Sequence, residues 1–115
     1  MRYVLLIYGS EAASATMTQE EFAAMMQGHS AFAHEAQQRG LLSGGVPLKS
    51  ALTATTVRVR NGKTLITDGP FAETKEQLAG FYILNCKDLD EAIALATKIP
   101  DVLHGSVEIR PVLEM

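Results

Sequence analysis

Residues 68–84 read Asp68-Gly69-Pro70-Phe71-Ala72-Glu73-Thr74-Lys75-Glu76-Gln77-Leu78-Ala79-Gly80-Phe81-Tyr82-Ile83-Leu84, and this stretch decides the fold. Gly69 takes positive φ at no steric cost, Pro70 fixes φ and gives up its N–H, and Asp68 can accept from nearby backbone donors, so the chain reverses here. Ala72 to Gln77 is a short polar run with Glu73, Lys75 and Glu76. Leu78 to Leu84 is a dense apolar strand, stable only inside a sheet. A compact polar loop is therefore tied directly to a buried strand.

Working outward, the residues before the turn form a hairpin. Thr55 to Arg60 alternates, Asn61-Gly62 is the strongest two-residue hairpin signal, and Lys63 to Thr67 is the return strand. Pairing Arg60 with Lys63 sets Val59 opposite Thr64, Val57 opposite Ile66 and Thr55 opposite Asp68. Asp68 thus leaves the hairpin on its apolar side, with an inward direction expected. Further upstream, Leu41 to Leu48 contains Gly44, Gly45 and Pro47 and reads as a short, bent strand. Thr18 and Glu21 make a capping box, which opens a helix running to about Arg39, with Gly40 suited to the C′ position. Phe22, Met25, Met26, Phe32, Ala33 and Ala36 share one helix face, with His29 at its centre and His34 on the polar side. Gly9 to Met17 reads as a loop. Tyr3 to Tyr8 is apolar at both parities, the mark of a central strand.

Downstream of the stretch, Asp88 and Glu91 make a second capping box. Leu89, Ala92, Ile93, Ala96 and Ile99 form a second amphipathic face ended by Pro100. Ser106 to Leu113 closes the chain as a strand with Val107 and Ile109 inward and Glu108 and Arg110 on the opposite face. The order predicts an α+β fold, a ferredoxin-like split βαβ with an inserted β-hairpin and both helices on one face of an antiparallel sheet. Strands apolar at both parities leave a second sheet face to cover, and in 115 residues only another subunit can cover it. A homodimer is expected.

Length and composition bound the function. Residues 1–115 make one domain, 47% apolar and 20% charged, and a net charge of −3 offers no field for nucleic acid. The apolar run after Arg2 is too short for a targeting segment and no stretch approaches a membrane span, so neither membrane attachment nor export is expected. The single cysteine, Cys86, forms no internal disulfide and sits at the end of an apolar strand as an inert thiol, which points to the cytoplasm. No Cys/His cluster has metal-ligand spacing, no glycine-rich loop precedes a helix as a phosphate cradle, and no Gly-x-Ser-x-Gly elbow occurs. No metal or other cofactor is expected.

Two residues lead the candidates for chemistry. Asp68 on an apolar face is costly unless paired or used as an acid or base; the structural alternative is a turn cap accepting backbone N–H groups. His29, among Phe and Met side chains, is either a neutral core histidine, the commoner meaning of such a position, or a base at the edge of a cavity. Glu73 and Lys75 can hold a polar ligand or form a solvated loop with mutual ion pairs. Arg58, Arg60 and Arg110 can receive an anion or face water, and Glu108 and Arg110, two apart on one strand face, can pair. His34 and His104 read as surface residues.

The nine residues Asp68 to Glu76, DGPFAETKE, together with Gly80-Phe81-Tyr82-Ile83-Leu84 and Val107-Glu108-Ile109-Arg110-Pro111, resemble the YCII-related proteins and specifically their DGPF branch. The resemblance covers nearly the whole chain. It implies a dimeric α+β barrel, whose sheets pack face to face around a cavity. It favours a functional Asp68 within the signature turn, with Gly69, Pro70 and Phe71 beside it as ligand contacts. A His–Asp pair with the histidine on the first helix, as in other YCII-related proteins, would fall on His29. Two functions are compatible with it: a cofactor-independent enzyme moving a proton on a small organic substrate, of lyase, isomerase or dehalogenation type, and a non-catalytic ligand-binding or regulatory accessory protein linked to an extracytoplasmic-function sigma factor.

Overall fold

The computed structural model describes all 115 residues. Strand β1 (Arg2–Gly9) leads through a helical turn α1 (Glu11–Ser14) into the long helix α2 (Gln19–Gln38), then β2 (Leu42–Pro47). A hairpin of β3 (Thr55–Arg60) and β4 (Lys63–Asp68) follows, then β5 (Gln77–Asn85), α3 (Leu89–Ala96), a 3₁₀ turn (Pro100–Leu103) and β6 (Ser106–Pro111). The main sheet runs β2-β5-β1-β6 with every neighbour antiparallel, while β3 and β4 pair only with each other. This is the strand order of a ferredoxin-like α+β fold, with β1 and β5 central.

Local chemistry accounts for each boundary. Thr18 accepts from the Glu21 N–H while Glu21 accepts from the Thr18 N–H, and Gly40, at φ 71°, ends α2. Asn61 at φ 52° and Gly62 at φ 74° give both central residues the positive φ of a type I′ turn, and the pairs Val59–Thr64, Val57–Ile66 and Thr55–Asp68 follow. Asp88 caps α3 by accepting from the Glu91 N–H. Three boundaries differ from the sequence expectation, one being the closing strand, which ends at Pro111 and not at Leu113. Gly9 to Met17 holds a helical turn, because Ser10 accepts from the Ala13 N–H. Helix α3 stops at Ala96, and buried Ile99 belongs to the entry of the 3₁₀ turn.

Tyr3, Leu5 and Ile7 of β1 pack with Leu84 against Phe32 and Ala36 of α2 and Ala92, Leu95, Ala96 and Ile99 from the α3 region. Each fully buried aliphatic side chain contributes about 1.5–3 kcal/mol. Val107 and Ile109 lean on this core from β6. The opposite parity of β1 and β5, Val4, Leu6, Phe81 and Ile83, is only half-buried. Just 12 of the 115 residues are buried, and the radius of gyration is 16.1 Å, against about 13 Å for a compact chain of this length. The expected inward direction of Asp68 is corrected at this point. Its side chain shares a face with Val57 and Ile66, but that face is open, those two residues being 61% and 69% exposed, and Asp68 is exposed with them. The hairpin stands apart from the main sheet, so nothing in the subunit covers it.

Candidate functional site

Helix α2, strand β5 and the 3₁₀ turn meet at His29. Its Nε2 lies 2.6 Å from Asp101 Oδ1 and its Nδ1 lies 2.9 Å from the Tyr82 hydroxyl. The His29 and Asp101 side chains retain 20% and 13% exposure, enough for a small molecule or water to reach them but not enough for free rotation. An ionised carboxylate only accepts, so Nε2 carries a proton; in the neutral ring Nδ1 then accepts from the Tyr82 O–H. With both ring nitrogens protonated the second bond reverses, Nδ1 donating to the Tyr82 oxygen. Burial pushes the Tyr82 hydroxyl above the usual tyrosine range, and the nearby Asp101 charge adds to it. Tyr82 is therefore a protonated donor at neutral pH.

The sequence builds this array from small local choices. Gly28, in the middle of α2, leaves room for the Pro100 ring, which a Cβ would overlap. Pro100 starts the 3₁₀ turn, and the Asp101 carbonyl takes the N–H groups of His104 at 3.2 Å and Gly105 at 2.6 Å, which fixes the Asp101 backbone. Tyr82 is opposite Leu5 and Gly45, and its ring packs on Phe32 with centroids 4.7 Å apart. At Gly45, φ 152°, a Cβ would meet the Phe81 carbonyl and Tyr82, so glycine is what lets β2 close over this point.

A cavity of about 520 Å3 opens beside Asp101, lined by Ser10, Met17, Glu21, Met25, Leu103 and His104 among others. Its size is that of a site for a small molecule. Contact with the Thr18 backbone N–H keeps the Glu21 carboxyl below its ordinary range. A second cavity of about 540 Å3 lies between α1, the linker after β2 and the start of β5, where the Glu11 carboxylate accepts from the Ser50 hydroxyl at 2.9 Å and the Ala51 N–H at 2.6 Å.

The residues singled out from sequence fall into two groups. His29 is at the array, with Phe32 of its stripe packed on Tyr82 and Met25 lining the cavity, whereas Phe22 and Met26 are 56% and 46% exposed. Asp68, Phe71, Glu73 and Lys75 are exposed, and Gly69 and Pro70 half-buried. The Asp68 turn is held by the Gly69 N–H on Ala54 O, the Thr56 hydroxyl on Gly69 O and the Arg58 guanidinium on Phe71 O. Asp68 does not pair with His29, whose ring nitrogens are both taken. Arg110 is exposed and pairs with Glu108 on the same strand face. Cys86 is buried, with its thiol pushed up mainly by burial. Asp101 and Tyr82 were not singled out. Tyr82 was detectable by parity, two residues before buried Leu84; Asp101 had only the weaker signal of an acid directly after an apolar Ile-Pro pair.

An antiparallel sheet with its helices on one face and a carboxylate–imidazole–phenol array between them defines an α+β protein of ferredoxin-like plan. Residues 1–115 match the YCII-related domain, and the chain belongs to that family. An uncharacterized protein of Rhizobium meliloti (strain 1021) is 38% identical over 113 residues, 96% of this chain and 91% of that protein. No helix is long and apolar enough to cross a membrane.

Proposed function

We propose that this protein, a YCII-related domain of the DGPF branch, is a cofactor-independent acid–base enzyme acting on a small organic molecule, with His29 as the group that moves the proton. The observation that carries this reading is the imidazole held between Tyr82 and an Asp101 that itself lines a cavity. Asp101 orients the ring, and Tyr82 can pass a proton to the ring or return one, so acid and base roles can alternate. Asp68 contributes a second carboxylate from the signature turn. Gly69, Pro70, Phe71, Glu73, Lys75 and Arg110 contact the ligand in a pocket that a second subunit completes.

That second subunit is part of the proposal. The open sheet face carries Val4, Leu6, Val46, Phe81 and Ile83, and the hairpin adds exposed Val57, Val59 and Ile66. Covering several hundred Å2 of such surface at about 25 cal/mol per Å2 is a large term for a chain with so small a core. Packing two sheets face to face gives the dimeric α+β barrel. A buried free thiol fits a cytoplasmic setting.

One observation favours a second reading. Both ring nitrogens of His29 are engaged, which also describes a strut joining α2, β5 and the 3₁₀ turn in a non-catalytic ligand-binding or regulatory accessory protein linked to a sigma factor. Solvent deuterium exchange separates the two. Wild-type protein is expected to accelerate α-proton exchange of at least one member of a panel of small carbonyl compounds, with the rate lost in His29→Gln. Exchange that never exceeds buffer would favour the binding protein, and acceleration that survives His29→Gln would remove His29 as the group that moves the proton.

A further inference from the structure

The polar lining of the cavity beside Asp101 is unusual in its hydrogen-bonding sense. The Ser14 hydroxyl donates to Ser10 O at 3.1 Å and the Thr16 hydroxyl to Ala13 O at 3.0 Å, so each has only acceptor lone pairs left. Backbone donors are committed in the same way: the N–H groups of Ser14, Thr16, Met17, His104 and Gly105 all bond to local carbonyls. Glu21 uses Oε1 on the Thr18 N–H and Asp101 uses Oδ1 on His29, which leaves the other oxygen of each carboxylate free. No lysine or arginine lines the space, and Ser10 and His104 are its only side chains with a proton still to give. Ala24, Met25, Pro100 and Leu103 supply an apolar wall.

We infer that this cavity takes a small primary amine with an apolar body, the ammonium meeting the free oxygens and spare hydroxyl lone pairs and the body lying on the Ala24, Met25 and Leu103 wall. An ammonium has three donors and no acceptor, the complement of the lining, whereas a carboxylate or phosphate would find two anions and, among the side chains, only Ser10 and His104 to donate to it. The inference rests on the proposed acid–base site only in naming the class of molecule that reaches it. An amine seated there is within one hydrogen-bonded residue of His29.

The test titrates 2-phenylethylamine and, as a charge-reversed probe of similar shape, 3-phenylpropanoate into the protein, following amide NMR signals of Ala24 and Gly105 and the ring signals of His29. The amine is expected to bind saturably in the millimolar range or tighter and the carboxylate not to bind. Glu21→Gln keeps the helix cap, since Gln still accepts the Thr18 N–H, but removes the charge, and should weaken the amine about fivefold or more. Ala24→Leu, filling the apolar wall from an exposed helix position, should abolish binding. Carboxylate binding as tight as the amine, binding of neither probe, or amine affinity unchanged in both variants would overturn the inference. Amine binding that leaves the His29 ring signals unmoved upholds the ligand class while removing the acid–base reading; carboxylate binding that moves them does the reverse.

Discussion

Gly28→Ala puts two effects of opposite sign against each other. Gly28 lies mid-way along a 20-residue helix, where replacing glycine by alanine ordinarily stabilises by about 1 kcal/mol. Here the new Cβ would overlap Cγ of Pro100. That ring cannot yield easily: it opens the 3₁₀ turn, Ile99 before it is fully buried, and the Asp101 carbonyl after it holds two N–H groups. Helix and turn must separate, at the roughly 1–3 kcal/mol typical of overpacking. The net expectation is a loss of up to about 2 kcal/mol, with Asp101 drawn away from His29. For a chain of this size, 1 kcal/mol moves the thermal midpoint by about 3–6 °C. Urea denaturation followed by circular dichroism reads the change, and Pro100→Ala in the same chain should restore most of it. A Gly28→Ala protein more stable than wild type by the full helical gain would refute the packing of the 3₁₀ turn on α2, and with it the placement of Asp101.

Asp68→Asn should leave stability within about 0.5 kcal/mol, because the carboxylate is exposed and the turn is held by Gly69, Thr56 and Arg58; a larger loss with intact ligand binding would mark Asp68 as structural. Tyr82→Phe keeps the ring on Phe32 but removes the bond to His29, and should cost about 1 kcal/mol in chemical denaturation. Because folding raises the Tyr82 pKa, its ionisation opposes folding: that part of the stability is complete below about pH 10 and lost as pH rises through the folded value, a loss Tyr82→Phe should lack. Sedimentation equilibrium at micromolar concentration should give a dimer, and a stable, soluble monomer would remove the barrel.

Much of the fold was legible because local chemistry and tertiary structure agree. The Asn61-Gly62 turn set the hairpin register, Thr18 and Glu21 set the start of α2, and period alone put Phe32, Ala36 and His29 on its inner face. The same period misjudged Phe22 and Met26, which share that face but are exposed, since periodicity gives direction and not what lies there. The hairpin failed in the same manner: pairing gave the face of Asp68 correctly, while its burial needed a covering layer that the subunit does not supply. The site was half legible. His29 stood out as a polar residue on an apolar stripe, but its partners come 53 and 72 residues later, through contacts with no periodic trace. The helical turn at Glu11–Ser14 is too short to show a period at all.

The most direct measurement is ring-nitrogen NMR of His29, with exposed His34 as an internal reference. Held between Asp101 and Tyr82, neutral His29 should exist as one tautomer, Nε2 protonated and Nδ1 accepting, with the Nδ1 signal shifting in Tyr82→Phe and the Nε2 signal in Asp101→Asn. A mixture of tautomers like that of His34, insensitive to both substitutions, would contradict the array on which the proposed chemistry depends.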